Sequence, residues 1–247
     1  MIFVLLLIQL NNLKNIKTAI ILAGGKGTRL KEVVSDVPKP MAPINNRPFL
    51  EYLMDYWIDQ GVSRFILSVG HLNEVITNHF GDSYRSVQIE YAFENSPLGT
   101  GGAFLLASKD LNEPFLLLNG DTFFEVKLNN LYSFHKQHNS EWTMSLFRSY
   151  DIERYMGVKL AENGAIVELK CKDNPVDLLV NGGVYLINPS VIHKLNLKEG
   201  VKISLENQLL PSFRSLGGAL FGNEYTGKFI DIGVPDDYSR AYKILDE

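Results

Sequence analysis

Short apolar runs alternate with segments of helical periodicity along the first part of the chain. Continuous apolar runs such as Thr18–Leu22 are typical of buried parallel strands. Between the runs, apolar residues recur at the three- and four-residue spacing of amphipathic helices. The predicted strands are 18–22, 64–69, 87–93, 115–119 and 143–147, and the predicted helices are 49–58, 73–80, 100–107 and 129–138. This alternation predicts a Rossmann-like α/β fold with a doubly wound sheet.

The pattern changes at about Tyr150, where short strands and turns replace the regular alternation. Strands are predicted at 157–160, 166–169 and 183–187, and helices at 203–213 and 235–245. No stretch rich in proline, glycine or serine separates the two halves. We therefore predict a single domain over residues 17–247. Residues from about 149 onward would add strands to the sheet of the first half, making it a mixed sheet, and would form a substrate-binding subdomain.

The apolar first residues, 1–8, are too few to span a membrane. A spanning helix needs about 20 apolar residues, and polar residues return here from Gln9 onward. The basic start and the small-residue cleavage site of a secretory signal are also missing. We interpret residues 1–16 as a leader outside the folded core and expect no membrane association.

Composition excludes several classes of protein. The chain has 247 residues with 24 Lys and Arg against 28 Asp and Glu, so it lacks the positive charge of a nucleic-acid-binding protein. Its one cysteine, Cys171, can form neither an internal disulfide nor a cysteine-based zinc site. We expect a cytoplasmic globular protein. The sequence leaves its oligomeric state open, with a homodimer as one option.

The strongest local motif is the glycine-rich segment that follows the first strand. Its three glycines allow backbone N–H groups to approach a phosphate closely, and Lys26 and Arg29 add positive charge. The spacing fits neither a Walker loop nor a dinucleotide fingerprint, because Leu30 occupies the third glycine position of the latter. A turn that needs glycine for its conformation alone is the alternative. The candidate nucleotide-binding residues here are Leu22, Ala23, Gly24, Gly25, Gly27, Thr28 and Arg29.

Charged side chains at three further positions predict a phosphate and metal site. Lys39 lies between two prolines that fix its backbone, and it is a candidate phosphate ligand, with an ordinary surface loop as the alternative. Asp121 follows a buried strand, and Asp231 follows a second short apolar run. Because Mg²⁺ is commonly held by one or two carboxylates with phosphate oxygens and water, these aspartates are candidate ligands for Mg²⁺. Capping of the helix predicted from Pro235 is the competing role for Asp231.

A second glycine-rich turn, at 94–102, leads into the helix predicted at 100–107. Its backbone groups are suited to contact a nucleobase edge, and the Glu94 carboxylate to accept a hydrogen bond from a base or ribose. Capping of the helix by Thr100 is the alternative. The nucleotide-binding candidates in this turn and after the fourth strand are Glu94, Pro97, Gly99, Thr100, Asn119 and Gly120.

Taken together, these motifs resemble the sugar-1-phosphate nucleotidyltransferase family. The family signature Gly-Gly-x-Gly-Thr-Arg-Leu, followed by Pro-Lys-Pro, is present at 24–30 and 38–40. The other matching segments, in family order, are Pro-Leu-Gly-Thr at 97–100, Asn-Gly-Asp at 119–121, Asn-Gly-Gly-Val-Tyr at 181–185 and Asp-Ile-Gly at 231–233. Within the family, residues 39–44 and 47–52 look like the D-glycero-α-D-manno-heptose 1-phosphate guanylyltransferases.

The resemblance implies that residues 17–148 bind a nucleoside triphosphate, here GTP, and that residues 149–247 bind a sugar 1-phosphate. A phosphate oxygen of the sugar would attack the α-phosphorus of GTP, releasing pyrophosphate and giving GDP-heptose for surface polysaccharide synthesis. The implied catalytic residues are Arg29 on the β- and γ-phosphates, Lys39 on the α-phosphate, and Asp121, which would hold Mg²⁺ together with Asp231. The implied sugar-phosphate contacts are Lys172, Asn181, Gly182 and Gly183.

One position departs from the family pattern. The family commonly has Glu-Lys before the sugar-binding asparagine, whereas Cys171 and Lys172 stand there in this chain. The hydroxyl contact of that glutamate is therefore lost, or it comes from Glu168.

Other readings of the motifs stay open. Another member of the family, such as a mannose-1-phosphate guanylyltransferase or a hexose enzyme using UTP, CTP or dTTP, would carry similar motifs. A non-catalytic nucleotide-sugar sensor is less consistent with the sequence, because Arg29, Lys39 and both aspartates are all present.

Overall fold

The computed structural model describes residues 16–25, 36–149, 155, 157–170, 178–198 and 200–245. Its strands are β1 (Thr18–Leu22), β2 (Pro43–Ile44), β3 (Arg47–Pro48), β4 (Arg64–Val69), β5 (Ser83–Tyr84), β6 (Val87–Phe93), β7 (Phe115–Asn119), β8 (Thr122–Phe124), β9 (Trp142–Ser149), β10 (Val158–Leu160), β11 (Ile166–Leu169), β12 (Leu178–Ile187), β13 (Leu220–Glu224) and β14 (Phe229–Asp231). Its helices are α1 (Phe49–Asp59), α2 (Asn73–Phe80), α3 (Gly99–Ser108), α4 (Leu128–Gln137), α5 (Ser190–Leu195), α6 (Leu210–Ser215) and α7 (Pro235–Leu245). Lys39–Met41 forms a 3-10 turn and Leu205–Leu209 a π-helical turn.

The central sheet winds outward in both directions from β1. Its strand order is β13-β9-β12-β7-β1-β4-β6-β5. β1 pairs in parallel with β4 on one side and with β7 on the other, and β4 pairs in parallel with β6. The direction of winding therefore switches between β1 and β7, where the last residues of the two strands, Leu22 and Asn119, are register partners. In doubly wound sheets ligands bind beyond the carboxyl ends of the strands at this point.

Strands from the second half of the chain complete the sheet. β12 lies between β7 and β9 and is antiparallel to both, and β13 runs parallel to β9. The predicted doubly wound mixed sheet is therefore confirmed. The helix predicted at 203–213 is instead a π-helical turn followed by the short helix α6, because residues before the turn are extended and Pro211 cannot donate a backbone hydrogen bond.

Apolar side chains pack on both faces of the sheet. Successive residues of β1 point to opposite sides, so Ile21 joins the cluster under α1, whereas Ile20 joins the cluster around Trp142. Ile16 is only 2% exposed and belongs to the first cluster, so the folded core includes the last residue of the predicted leader. Within the described ranges, the helices are too short or too polar to cross a membrane.

A buried histidine connects α4 to the sheet. His135 is 2% exposed, and its ring nitrogens lie 2.8 Å from Oγ1 of Thr143 and 3.2 Å from Oδ1 of Asn188. The pKa of His135 is lowered to about 4, mainly by burial and to a lesser extent by the charge of Lys136, while the hydrogen bond with Asn188 opposes this change. The imidazole is therefore neutral in the folded protein at neutral pH.

This histidine is expected to make the fold sensitive to acid. Between about pH 6.5, where an unfolded histidine titrates, and about pH 4, the unfolded chain binds a proton that the folded chain excludes. The free energy of unfolding should therefore fall by up to roughly 3 kcal/mol as the pH drops through this range. Urea unfolding between pH 7.5 and pH 4 measures the loss. His135→Gln should flatten this pH dependence, whereas His138→Gln should not, and an unchanged slope in His135→Gln would contradict the assignment.

Candidate active site

A cavity of about 1210 Å³ opens at the carboxyl ends of β1 and β7. Sites for one small ligand usually measure roughly 300–1,000 Å³, so this cavity is larger than a typical one-ligand site. Every residue of the predicted catalytic, nucleotide, sugar-phosphate and metal sets that the structure describes lines it, whereas Glu168, the alternative source of the hydroxyl contact, is not among the lining residues. The lining residues of these sets are Leu22, Ala23, Gly24, Gly25, Lys39, Glu94, Pro97, Gly99, Thr100, Asn119, Gly120, Asp121, Asn181, Gly182, Gly183 and Asp231. Gly27, Thr28, Arg29, Cys171 and Lys172 lie outside the described residues.

Close packing, and not backbone conformation, explains Gly24 at the start of the first loop. Neither Gly24 nor Gly25 has a positive φ. A Cβ on Gly24 would lie 2.3 Å from Oε1 of Glu94 and 3.3 Å from the backbone nitrogen of Gly70. Gly25 has open space where a Cβ would be, although it lines the cavity. The loop therefore presents bare backbone to the cavity, as a phosphate site requires.

Glu94 is held in place at the wall of the cavity. Its Oε2 accepts a hydrogen bond of 2.9 Å from the backbone N–H of Leu98. Burial raises the pKa of the Glu94 carboxyl above its ordinary value. The carboxyl is thus a fixed polar group beside the first glycine loop.

Two short strands bring the distant aspartates together. β14 pairs antiparallel with β8, and Asp231 lies opposite Thr122, the residue after Asp121. The backbone N–H of Ile232 donates to the carbonyl oxygen of Asp121 at 3.0 Å. Oδ1 of Asp231 accepts from the N–H of Gly233 at 2.6 Å, so this carboxylate closes a local turn ahead of α7.

The ammonium group of Lys39 lies at the aspartate pair. Its Nζ is 2.9 Å from Oδ2 of Asp121, and the side chain is only 10% exposed. A Cβ on Gly233 would lie 2.6 Å from Oδ1 of Asp231 and 3.1 Å from Nζ of Lys39, so the ammonium and the second carboxylate border the same small volume. The two carboxylates together therefore already face a positive charge.

The donor set at this point fits a divalent cation. Two carboxylates on adjacent strands can share an ion, and Mg²⁺ typically takes one or two carboxylates and completes its shell with phosphate oxygens and water. Among the described residues no group of three or more His, Cys, Asp or Glu side chains could hold a metal. The remaining ligands of a Mg²⁺ ion would accordingly come from the substrate and solvent.

The start of α3 is packed against residues 201–209, which we name the capping segment. The backbone N–H groups of Gly101 and Gly102 donate to the carbonyl oxygen of Ile203, at 2.9 and 3.2 Å. A Cβ on Gly102 would lie 2.5 Å from the carbonyl oxygen of Val201. Because these two glycines have no side chain, the start of α3 can pack closely against the capping segment.

Thr100 joins the same contact and does not cap α3. Its Oγ1 donates to Oε2 of Glu206 at 2.9 Å and accepts from the backbone N–H of Leu205 at 2.9 Å. The hydroxyl is thus occupied by the capping segment, and the part of this residue that remains for a nucleotide is its backbone.

A bulge in β12 shapes the other side of the cavity. The pairing of β12 with β9 shifts between Asn181 and Tyr185, and Gly183 has a φ of +74°. A Cβ on Gly183 would lie 2.8 Å from Nδ2 of Asn119, so glycine is required for both reasons. Asn181 is oriented by two hydrogen bonds, because its Nδ2 donates to Tyr185 Oη at 2.6 Å and its Oδ1 accepts from the Gly183 N–H at 3.1 Å.

Comparison with known proteins connects this geometry to a family. Residues 18–246 match the family model described as nucleotidyl transferase. The chain belongs to this family. The family membership and the fold that the motifs implied are both confirmed, and the protein is an enzyme of the nucleotidyltransferase class.

Relatives of this nucleotidyltransferase match almost from end to end. Two proteins named D-glycero-alpha-D-manno-heptose 1-phosphate guanylyltransferase are each 40% identical to it. The one from Aneurinibacillus thermoaerophilus aligns over 92% of this chain and 97% of its own length, and the one from Campylobacter jejuni over 89% and 96%. The solved structure of HddC from Yersinia pseudotuberculosis complexed with GMP-PN is 33% identical, with a TM-score of 0.78 over 92% of this chain and 99% of that chain.

The cavity of the nucleotidyltransferase also contains residues that the sequence did not indicate. They include Gly70, His71, Thr122, Tyr155, Lys202, Glu206, Asn207 and Phe229. Phe229 stacks on Phe147 with ring centroids 3.8 Å apart, and Tyr155 packs edge-on against both rings. Glu206 and Asn207 fell within the helix predicted at 203–213, and Lys202 lies just before it, so only the charges and the amide group of these side chains could have indicated a role in the site.

Proposed function

We propose that the enzyme transfers GMP from GTP to D-glycero-α-D-manno-heptose 1-phosphate, giving GDP-heptose and pyrophosphate. The observation that carries this proposal is the near end-to-end match, at 40% identity, to two proteins named for that reaction. We also place the reaction in the cytoplasm, which is consistent with a chain whose one cysteine cannot form an internal disulfide.

Positioning and charge neutralisation are the main tasks of the protein in this reaction. The attacking oxygen of a sugar 1-phosphate is already an anion, so no general base is needed. Backbone groups of Gly24 and Gly25 would lie against the triphosphate, and Arg29 would hold its β- and γ-phosphates. Lys39 would stabilise the negative charge that develops at the α-phosphate, a role for which its buried ammonium group is suited.

Asp121 and Asp231 would hold the Mg²⁺ ion. When bound, this ion would neutralise phosphate oxygens and orient them for in-line displacement. The pairing of β8 with β14, together with the hydrogen bond from the Ile232 N–H to the Asp121 carbonyl, holds the backbones of the two aspartates side by side. The metal ligands would therefore be preorganised by the sheet.

The choice of guanine would come from the turn before α3. Guanine presents two neighbouring N–H donors on one edge, and a carboxylate can accept both. Glu94 lines the cavity beside the first loop, with its Oε2 fixed by Leu98. Asn181, Gly182 and Gly183 would line the sugar side, together with Lys172.

A matrix of substrates tests the proposal. GTP, UTP, CTP, dTTP and ATP would each be paired with heptose, mannose and glucose 1-phosphates in the presence of Mg²⁺. Pyrophosphate release and product mass are the measurements, and GTP with the heptose 1-phosphate should give the highest kcat/KM. Faster turnover of another pair would replace the proposed substrates, and the absence of turnover in every pair would favour a non-catalytic sensor.

A further inference from the structure

Glu206 lies at a junction between the two sides of the cavity. It belongs to the π-helical turn of the capping segment and lines the cavity together with Lys202 and Asn207. Single π-helical turns within helices are frequent at functional sites. The sequence motifs assigned no role to this glutamate.

The Glu206 carboxylate is held through one of its two oxygens. Oε2 accepts hydrogen bonds from Oγ1 of Thr100 at 2.9 Å and from Oγ of Ser204 at 3.2 Å. Among the described residues the hydrogen bonds to this carboxylate all end on Oε2 and none on Oε1. A half-buried carboxylate that is oriented by two hydroxyl groups and retains a second oxygen is a preorganised acceptor.

Glu206 has neighbours from both sides of the cavity. Burial raises the pKa of the Tyr185 phenol, and the negative charge of Glu206 raises it as well. Tyr185 in turn accepts the hydrogen bond from Asn181, a predicted sugar-side residue. Thr100, on the nucleotide side, is the other neighbour. The carboxylate therefore lies where the two substrates would meet.

A carboxylate in this cavity suits hydroxyl groups and not phosphates. Phosphate oxygens are acceptors and carry negative charge, so Glu206 would repel them, whereas a sugar hydroxyl can donate to a carboxylate. The lysine that would face the phosphates, Lys39, forms its ion pair with Asp121 and not with Glu206. We propose that Glu206 is a specificity-determining residue that accepts hydrogen bonds from ring hydroxyls of the sugar 1-phosphate, an inference that rests on the proposed function for its substrate.

Steady-state kinetics of Glu206→Gln and Glu206→Ala test this assignment. Each substrate would be varied while the other is saturating. We expect kcat/KM for the sugar 1-phosphate to fall roughly tenfold to a hundredfold, as for loss of a hydrogen bond to a charged group, while KM for GTP changes little. A series of monodeoxy analogues, each lacking one hydroxyl, supplies the second readout. The wild type should discriminate against one of them, and the alanine variant should lose that discrimination.

Ser204→Ala is the matched control, because it removes a donor to the same oxygen and leaves the carboxylate in place. It should affect stability more than kcat/KM for the sugar. The inference is overturned if both Glu206 variants keep wild-type kinetics, or if their defect falls on KM for GTP, which would mean contact with the ribose or the base. The comparison uses whichever sugar 1-phosphate the wild type accepts, so a wrong heptose assignment would be recognised separately.

Discussion

Replacing Asp121 with asparagine is expected to reduce turnover by roughly a thousandfold or more while the protein stays folded. Asparagine has nearly the same size as aspartate but no charge, so it would weaken a shared Mg²⁺ site strongly. It would also leave the ammonium group of Lys39 without the partner that lies 2.9 Å away. Asp231 borders the same volume and still faces that ammonium, which limits the loss of stability.

The Asp121→Asn experiment combines three measurements. Pyrophosphate release gives the rate, calorimetric titration with Mg²⁺ in the presence of GTP gives metal affinity, and a thermal melt shows that the fold is retained. Asp236→Asn is the matched control, because Asp236 is an exposed carboxylate on α7, five positions after Asp231 and outside the cavity lining. Wild-type rates in Asp121→Asn would remove Asp121 from the proposed metal site.

The central half of the sheet could be predicted from the sequence because its signals are local. β1 and β7 are continuous apolar runs that end in a glycine loop and in Asn119-Gly120-Asp121. A strand buried on both faces needs such a run, and its end in a polar turn marks the edge where ligands bind.

The elements that complete the site could not be predicted in this way. β8 and β14 are three residues each, too short for a periodicity, and their pairing joins parts of the chain that are distant in sequence. Asp231 was proposed from its motif, and the pairing that brings it beside Asp121 is visible only in the structure. Glu206 was missed for a similar reason, because its neighbour Thr100 is 106 residues away and the π-helical turn has no sequence pattern of its own.

Replacing Lys39 with methionine is expected to lower kcat by roughly a hundredfold or more, with a smaller change in KM for GTP. The expected loss falls on kcat because the charge would stabilise the α-phosphate mainly as the transition state forms. Lys39→Arg should restore little activity. The lysine lies in a 3-10 turn after Pro38 and is only 10% exposed, so a larger, planar guanidinium cannot take the same position.

A second measurement separates this role from a general structural one. Without the ammonium group, the carboxylate of Asp121 would lose the ion-pair partner that lies 2.9 Å away, so the metal-free methionine variant should melt at a lower temperature than the wild type. Added Mg²⁺ would then supply the missing charge, and it should raise the melting temperature of Lys39→Met more than that of the wild type. Lys127→Met, which removes an exposed lysine outside the cavity lining, should change neither kcat nor the response to Mg²⁺. Equal Mg²⁺ responses in wild type and Lys39→Met would show that the lysine and the cation do not share the aspartate pair.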